Sequence, residues 1–140
     1  MEQDCVFCKI LAGELPASIV DEDERTISFM DISPASAGHA LVIPRAHAAD
    51  LLSVEPADLE AVARSAQRLA GRITERLGAT GVNLLNSCGA QAWQTVFHFH
   101  VHVIPRYPED PLKLPWTPTP GDPQQIAQVA ARLARTPTAS

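Results

Sequence analysis

Residues 98–103 read His-Phe-His-Val-His-Val, so three of the chain's five histidines stand at every second position of one apolar run. Successive side chains of an extended strand point to opposite faces. The alternation therefore predicts a strand with Phe99, Val101 and Val103 on one side and His98, His100 and His102 on the other. The apolar side can be buried against a core. The other side is a ladder of imidazoles, about 6.6 Å apart along the backbone. Histidine has the side-chain pKa nearest neutrality, which suits it to nucleophile, acid–base or ligand roles.

At 140 residues, 46% hydrophobic and 19% charged, the chain is long and apolar enough to form one globular domain with its own core. A net charge of −5 argues against holding a nucleic acid polymer by bulk electrostatics, although a small anionic ligand remains open. The N-terminus is acidic and leads into no long apolar stretch, so neither a signal peptide nor a membrane span is expected. Two of three cysteines form a Cys5-x-x-Cys8 pair, which suits a reducing cytoplasm better than a disulfide framework.

Hydrophobic periodicity predicts a short helix over 6–13 and strands over 19–22, 25–30, 40–43, 82–86 and 96–104. A long helix is expected over 56–77, where Leu59, Val62, Ala66, Leu69 and Ile73 make one stripe between Pro56 and Gly78. Seven of the twelve prolines fall between 105 and 123, which predicts an extended, irregular stretch before a last helix over 124–135. The class is α+β: an antiparallel sheet of about five strands, one long and one short helix, and a C-terminal appendage. Residues 1–105 are read as the domain. Residues 106–140 are read as a Pro-rich segment and helix packed on it or extending from it.

Taken in order, Cys5-Val-Phe-Cys-Lys-Ile10, Phe29-Met-Asp-Ile-Ser-Pro34, Gly38-His-Ala-Leu-Val-Ile-Pro-Arg-Ala-His47, Asn86 and Gln94-Thr-Val-Phe-His-Phe-His-Val-His-Val103 resemble the histidine triad (HIT) family, in its small nucleotide-binding hydrolase branch. The resemblance spans roughly residues 5–105. It implies a homodimer that acts on purine nucleotides, with His100 as nucleophile, His102 beside the leaving group, and His98 and His39 in support. A neutral imidazole can attack phosphorus at pH 7, and the phosphoramidate formed is open to water, which divides one hard displacement into two. The attacking nitrogen needs its lone pair, so the other nitrogen must donate its proton, in this family to a carbonyl near the first triad histidine.

The same resemblance assigns Gln94 and Thr95 to an α-phosphate, Asp31 to the ribose hydroxyls, Asn86 to ribose or phosphate, and Ile10, Phe29 and Ile32 to the base. For Asp31 a turn-capping role before Ser33-Pro34 is the competing reading, and for the apolar three it is simple core packing. Trp93 departs from the pattern, since the family commonly has glycine just before the glutamine. Trp116 resembles a tryptophan often found near the C-terminus of these proteins.

Cys5 and Cys8 have the spacing of a ligand pair. Bacterial-type members of the family carry zinc at positions matching Cys5, Cys8, His47 and His98, and a site closed by four protein ligands is structural. A catalytic zinc on the ladder itself is disfavoured, because His98 and His102 lie about 13 Å apart along an extended strand. The expected activity is hydrolysis of nucleoside 5′-monophosphate derivatives, phosphoramidates or dinucleoside polyphosphates, through a nucleotidyl-histidine that releases AMP or GMP. A nucleotidyl transferase or phosphorylase using the same histidine, and a zinc-stabilised nucleotide-binding module with little catalysis, are the alternatives.

Overall fold

Alternation in one central strand sets the architecture. In β3 (Ala40–Pro44) every residue is buried. Ala40 and Val42 join one apolar cluster, and Leu41 and Ile43 join another on the opposite side. The computed structural model describes residues 4–135. β1 (Ile19–Glu22), β2 (Thr26–Met30), β4 (Gly81–Leu85) and β5 (Val101–Arg106) complete a sheet of order β1-β2-β3-β5-β4. Every neighbouring pair is antiparallel. The fold is α+β, as the sequence pattern predicts.

α2 (Pro56–Leu77) covers one face of the sheet. It buries Val62, Ala66, Leu69 and Ile73, one stripe at three- and four-residue steps, against Ala40, Val42, Phe99 and Val103. Pro56 opens the helix, and Gly78 closes it in the left-handed region at φ 73°. α1 (Val6–Leu11) lies on the other face, where Cys5, Phe7 and Cys8 pack with Ile27, Phe29, Leu41 and Ile43. The Cys5 sulfur caps this short helix by accepting the Cys8 N–H at 3.3 Å. Gly38, in the turn from β2 to β3, has φ 96°, and a Cβ there would lie 2.6 Å from a Leu77 methyl. The left-handed φ is what favours glycine here; the Leu77 methyl, at the end of a flexible side chain, would only have to shift.

The main departure lies in the histidine segment. Residues 96–104 are expected as one strand, but β5 begins at Val101. Residues 96–100 are held from the side instead. The Phe99 N–H donates to the Ala48 carbonyl at 2.7 Å, and the Gln94 side-chain amide donates to the carbonyls of Ala49 and Val96. The 44–49 segment thus takes the Phe99 N–H that a sheet neighbour would otherwise take. The alternation survives the irregularity: Phe99 and Val103 sit in the α2 core with Val101 against it. A 3₁₀ turn at Ala90–Ala92, not foreseen from periodicity, precedes this segment.

Beyond Arg106 the proline-rich stretch forms no helix or strand until α3 (Pro123–Leu133). Arg106 anchors its start by paired hydrogen bonds to Asp110, at 2.8 and 2.9 Å. No residue of α3 is buried within the chain, and its apolar stripe of Ile126, Val129 and Leu133 is exposed.

Candidate active site

A cavity of about 600 Å³ opens on the α1 side of the sheet, a volume within the range of small-molecule sites. Its walls come from α1, β2, β3 and the 87–96 loop, and His100 and His102 stand in it with Asp31 and His39.

Main-chain groups determine which nitrogen of each ring carries the proton. The Nδ1 atom of His100 lies 2.7 Å from the His98 carbonyl, which can only accept. Nδ1 therefore carries the hydrogen, and the lone pair of the neutral ring is on Nε2. Burial lowers the His100 pKa, against the opposing pull of that carbonyl and of Asp31. The ring is 6% exposed and lies edge-on to Phe7, with centroids 5.1 Å apart.

His39 starts a second chain of bonds. Its Nδ1 accepts the Ala35 N–H at 2.9 Å, so in the neutral ring the proton is on Nε2. That N–H is 2.9 Å from Nδ1 of His102 and 3.5 Å from an Asp31 oxygen. His102 accepts at Nδ1 and so carries its own hydrogen on Nε2. Burial, and then the neighbouring His100 and His39, push the His102 pKa down to about 4. Asp31, His39 and His102 also lie close enough together to suggest a cation site. The Ala35 N–H argues against that use, because it keeps the facing His39 nitrogen protonated.

His98 points elsewhere. Its Nε2 donates to the Pro44 carbonyl at 2.9 Å, and its Nδ1 faces Cys5 Sγ at 3.3 Å, Cys8 Sγ at 3.6 Å and His47 Nδ1 at 3.2 Å. Cys8 Sγ and His47 Nδ1 are 3.4 Å apart. Around a tetrahedral zinc, S···N and N···N separations are about 3.6 and about 3.3 Å from ordinary Zn–S and Zn–N lengths. The donor set fits that ion. Two imidazole nitrogens facing each other beside two thiols, largely out of water, also call for a cation or a proton between them. The Pro44 carbonyl fixes the His98 tautomer needed for such ligation. His98, expected as a member of the catalytic ladder, turns both ring nitrogens away from the cavity and reaches His100 only through its carbonyl.

The remaining expected residues divide. Asp31 caps the turn with one oxygen, which accepts the Ser33 N–H at 2.7 Å, while its other oxygen lines the cavity and faces the His39–His102 pair. Ile10, Phe29 and Ile32 line the cavity; Phe29 is buried and Ile32 is 98% exposed at the rim. Thr95 lines it as well. Gln94, expected on phosphate, spends its side chain on the scaffold: its oxygen accepts the Gly89 N–H at 2.7 Å, and its amide holds Ala49 and Val96. Asn86 donates its side-chain N–H to the His100 carbonyl at 2.9 Å, which holds the main chain of the ladder's central residue. Trp93 takes φ 74°, the sole non-glycine residue in the left-handed region among the described residues. Two contributors escape a motif reading. Phe7 lies between the paired cysteines and touches both His98 and His100. Ala35 acts through a main-chain N–H, which has no side-chain signal at all.

The site is thus a histidine-lined cavity beside a four-residue Cys/His cluster in a small α+β protein. The HIT-domain profile matches residues 12–109, and the chain belongs to the HIT-domain family. It is 34% identical to "Protein hit" of Bacillus subtilis over 95% of this chain and 94% of that one. It is 38% identical to adenylylsulfatase HINT3 of Arabidopsis thaliana over 80% of this chain and 57% of that protein. Among solved structures, SMU.412c from Streptococcus mutans aligns with a TM-score of 0.90 at 35% identity, covering 95% of this chain and 85% of that one. A zinc-bound histidine triad protein from Mycobacterium smegmatis aligns at 0.76 and 37% identity, covering 92% and 97%. Similar solved structures also include a histidine triad nucleotide-binding protein from Candida albicans and a HIT family hydrolase from Clostridium thermocellum. Among the described residues no helix is long and apolar enough to cross a membrane.

Proposed function

We propose that the protein hydrolyses nucleoside 5′-monophosphate derivatives through a covalent nucleotidyl-His100 intermediate. The observation that carries this reading is the 2.7 Å bond from His100 Nδ1–H to the His98 carbonyl, which leaves the Nε2 lone pair for phosphorus. Ile10, Phe29 and Ile32 clamp a purine base, the Asp31 oxygen that faces the His39–His102 pair accepts from the ribose hydroxyls, and Thr95 donates to the α-phosphate. Gln94 and Asn86 position the loop and strand around them. Nε2 of His100 attacks the α-phosphorus as the bond to the leaving group breaks, and the Nε2–H of His102 hydrogen-bonds the leaving atom. Water then attacks phosphorus, breaks the P–N bond and releases AMP or GMP. The proton that water gives up balances the one taken by the leaving group.

The leaving group is an amine in a phosphoramidate or a phosphate in a dinucleoside polyphosphate. The name of the adenylylsulfatase relative supports testing sulfate beside them. Cys5, Cys8, His47 and His98 hold a structural zinc that ties α1 to the catalytic segment. The protein works as a cytoplasmic homodimer.

Adenosine 5′-phosphoramidate is the test substrate. The wild-type protein releases AMP and, quenched in mid-turnover, carries an added adenylyl mass on the peptide containing His100. His100→Ala lowers turnover at least ~10³-fold with the fold intact. Undiminished turnover in that variant overturns the mechanism, and nucleotide binding with no turnover by the wild type favours the binding-module alternative.

A further inference from the structure

Trp93 is an expensive choice for its position. Its φ of 74° is a conformation that glycine adopts freely and a bulky side chain does not. Backbone strain of this kind persists where surrounding structure holds it, and it gathers at ligand sites. The Trp93 N–H is bonded to the Ala90 carbonyl, so the strained backbone does not present that donor to a ligand. What the residue adds is an indole. That ring lines the cavity containing His100, yet it is 59% exposed, so burial does not explain it. It lies nearly parallel to the ring of Trp116, with centroids 6.5 Å apart and planes inclined by 23°. Trp116 is itself 60% exposed and comes from the proline-rich stretch, where restricted φ angles favour a fixed path. The base-binding residues Ile10 and Phe29 belong to other elements, α1 and β2, so the tryptophan pair forms a separate aromatic wall.

We infer that Trp93, backed by Trp116, is a specificity-determining platform on which a planar aromatic part of the leaving group stacks. This rests on the hydrolase reading above. The ligand chemistry is a flat π-system attached to the atom that departs from phosphorus. It belongs either to an arylalkyl amine or to the second base of a dinucleoside polyphosphate. Offset stacking on one indole is worth about 1 kcal/mol beyond buried area, which corresponds to roughly a five-fold preference.

Two matched adenosine phosphoramidates test it, one carrying phenethylamine and the other cyclohexylethylamine, which is similar in size but not planar. Diadenosine tetraphosphate against adenosine tetraphosphate forms the second arm. The wild type favours the aromatic member of at least one pair by roughly five-fold in kcat/KM, and the arm that responds identifies the source. In Trp93→Gly that ratio falls to near one, while the melting temperature rises by roughly 2–5 °C as the left-handed residue becomes a glycine. A purely structural tryptophan would move stability and leave the ratio alone.

Binding keeps the proposal separate from turnover. The chain has only two tryptophans, both in this stack, so indole emission reports on it alone. The phenethylamine conjugate or diadenosine tetraphosphate should change that emission, with a smaller response to its non-aromatic partner, even if neither is hydrolysed. Equal ratios in wild type and Trp93→Gly, or equal emission responses within both pairs, would overturn the inference.

Discussion

His98 and His100 are two residues apart, on the same side of the sheet, and chemically opposite. His98 gives its Nε2–H to the Pro44 carbonyl and turns Nδ1 to two cysteines and His47. His100 gives its Nδ1–H to the His98 carbonyl and keeps Nε2 for the cavity. Identical side chains thus acquire different roles from the main-chain oxygen that each one meets. A carbonyl costs a histidine one nitrogen and determines the chemistry of the other. The two regions are also mechanically joined, because the oxygen that orients His100 belongs to the residue held by the Cys/His cluster.

The strongest way to break this comparison is to damage one side and watch the other. Cys8→Ala, or prolonged chelation, should remove about one zinc per chain by elemental analysis. The melting temperature should fall by roughly 10–20 °C, as expected for a structural metal that contributes several kcal/mol. His100→Ala should leave both the metal content and the melting temperature near wild type. If Cys8→Ala leaves both the metal content and the melting temperature unchanged, the cluster is no structural site.

Acid should act in the same direction on both regions of the zinc-free protein. Burial holds the pKa values of His98 and His102 down to about 4, against an ordinary value of 6.5. Below pH 6.5 the unfolded chain takes up protons that the folded chain refuses, so stability falls with falling pH until about pH 4. Each group accounts for roughly 3 kcal/mol at most. Urea midpoints measured between pH 7 and 4 should decline over that window. A flat profile would mean that neither ring is held neutral by its surroundings.

The smallest effect sharpens the comparison within the cavity. His39→Ala removes the N–H that directs Nδ1 of His102, and kcat should fall roughly 10–100-fold with a smaller change in KM. His39→Asn, which can still present an N–H there, should recover part of the loss. A change confined to melting temperature would make His39 a packing residue.

Much of this molecule is readable from local pattern. α2 begins at Pro56 and ends at Leu77 as its stripe and flanking residues predict. The opposite burial of Phe99 and Val103 from the histidines follows from a period of two. The Cys5–Cys8 spacing and the outlying His47 do come together. Other features were illegible for a specific reason. The late start of β5 depends on the Ala48 carbonyl capturing the Phe99 N–H, a contact across 51 positions of sequence. Gln94 reads as a phosphate contact by its place in a motif, yet its amide is used up by main-chain groups of the loop and the 44–49 segment. Trp93 is conspicuous as a residue, but its left-handed backbone and its pairing with Trp116 emerge only in three dimensions.

Sequence alone determined which side of the histidine segment would carry imidazoles, which side would be buried, and where the apolar stripe of α2 would run. Those are consequences of side-chain periodicity and spacing, which are local. Tertiary structure decided which imidazole turns to the cysteines, which keeps a lone pair for the cavity, and which passes on a tautomer from Ala35. The physical reason is that a ring's proton goes where an acceptor awaits it, and those acceptors and donors are main-chain atoms whose positions belong to the whole fold.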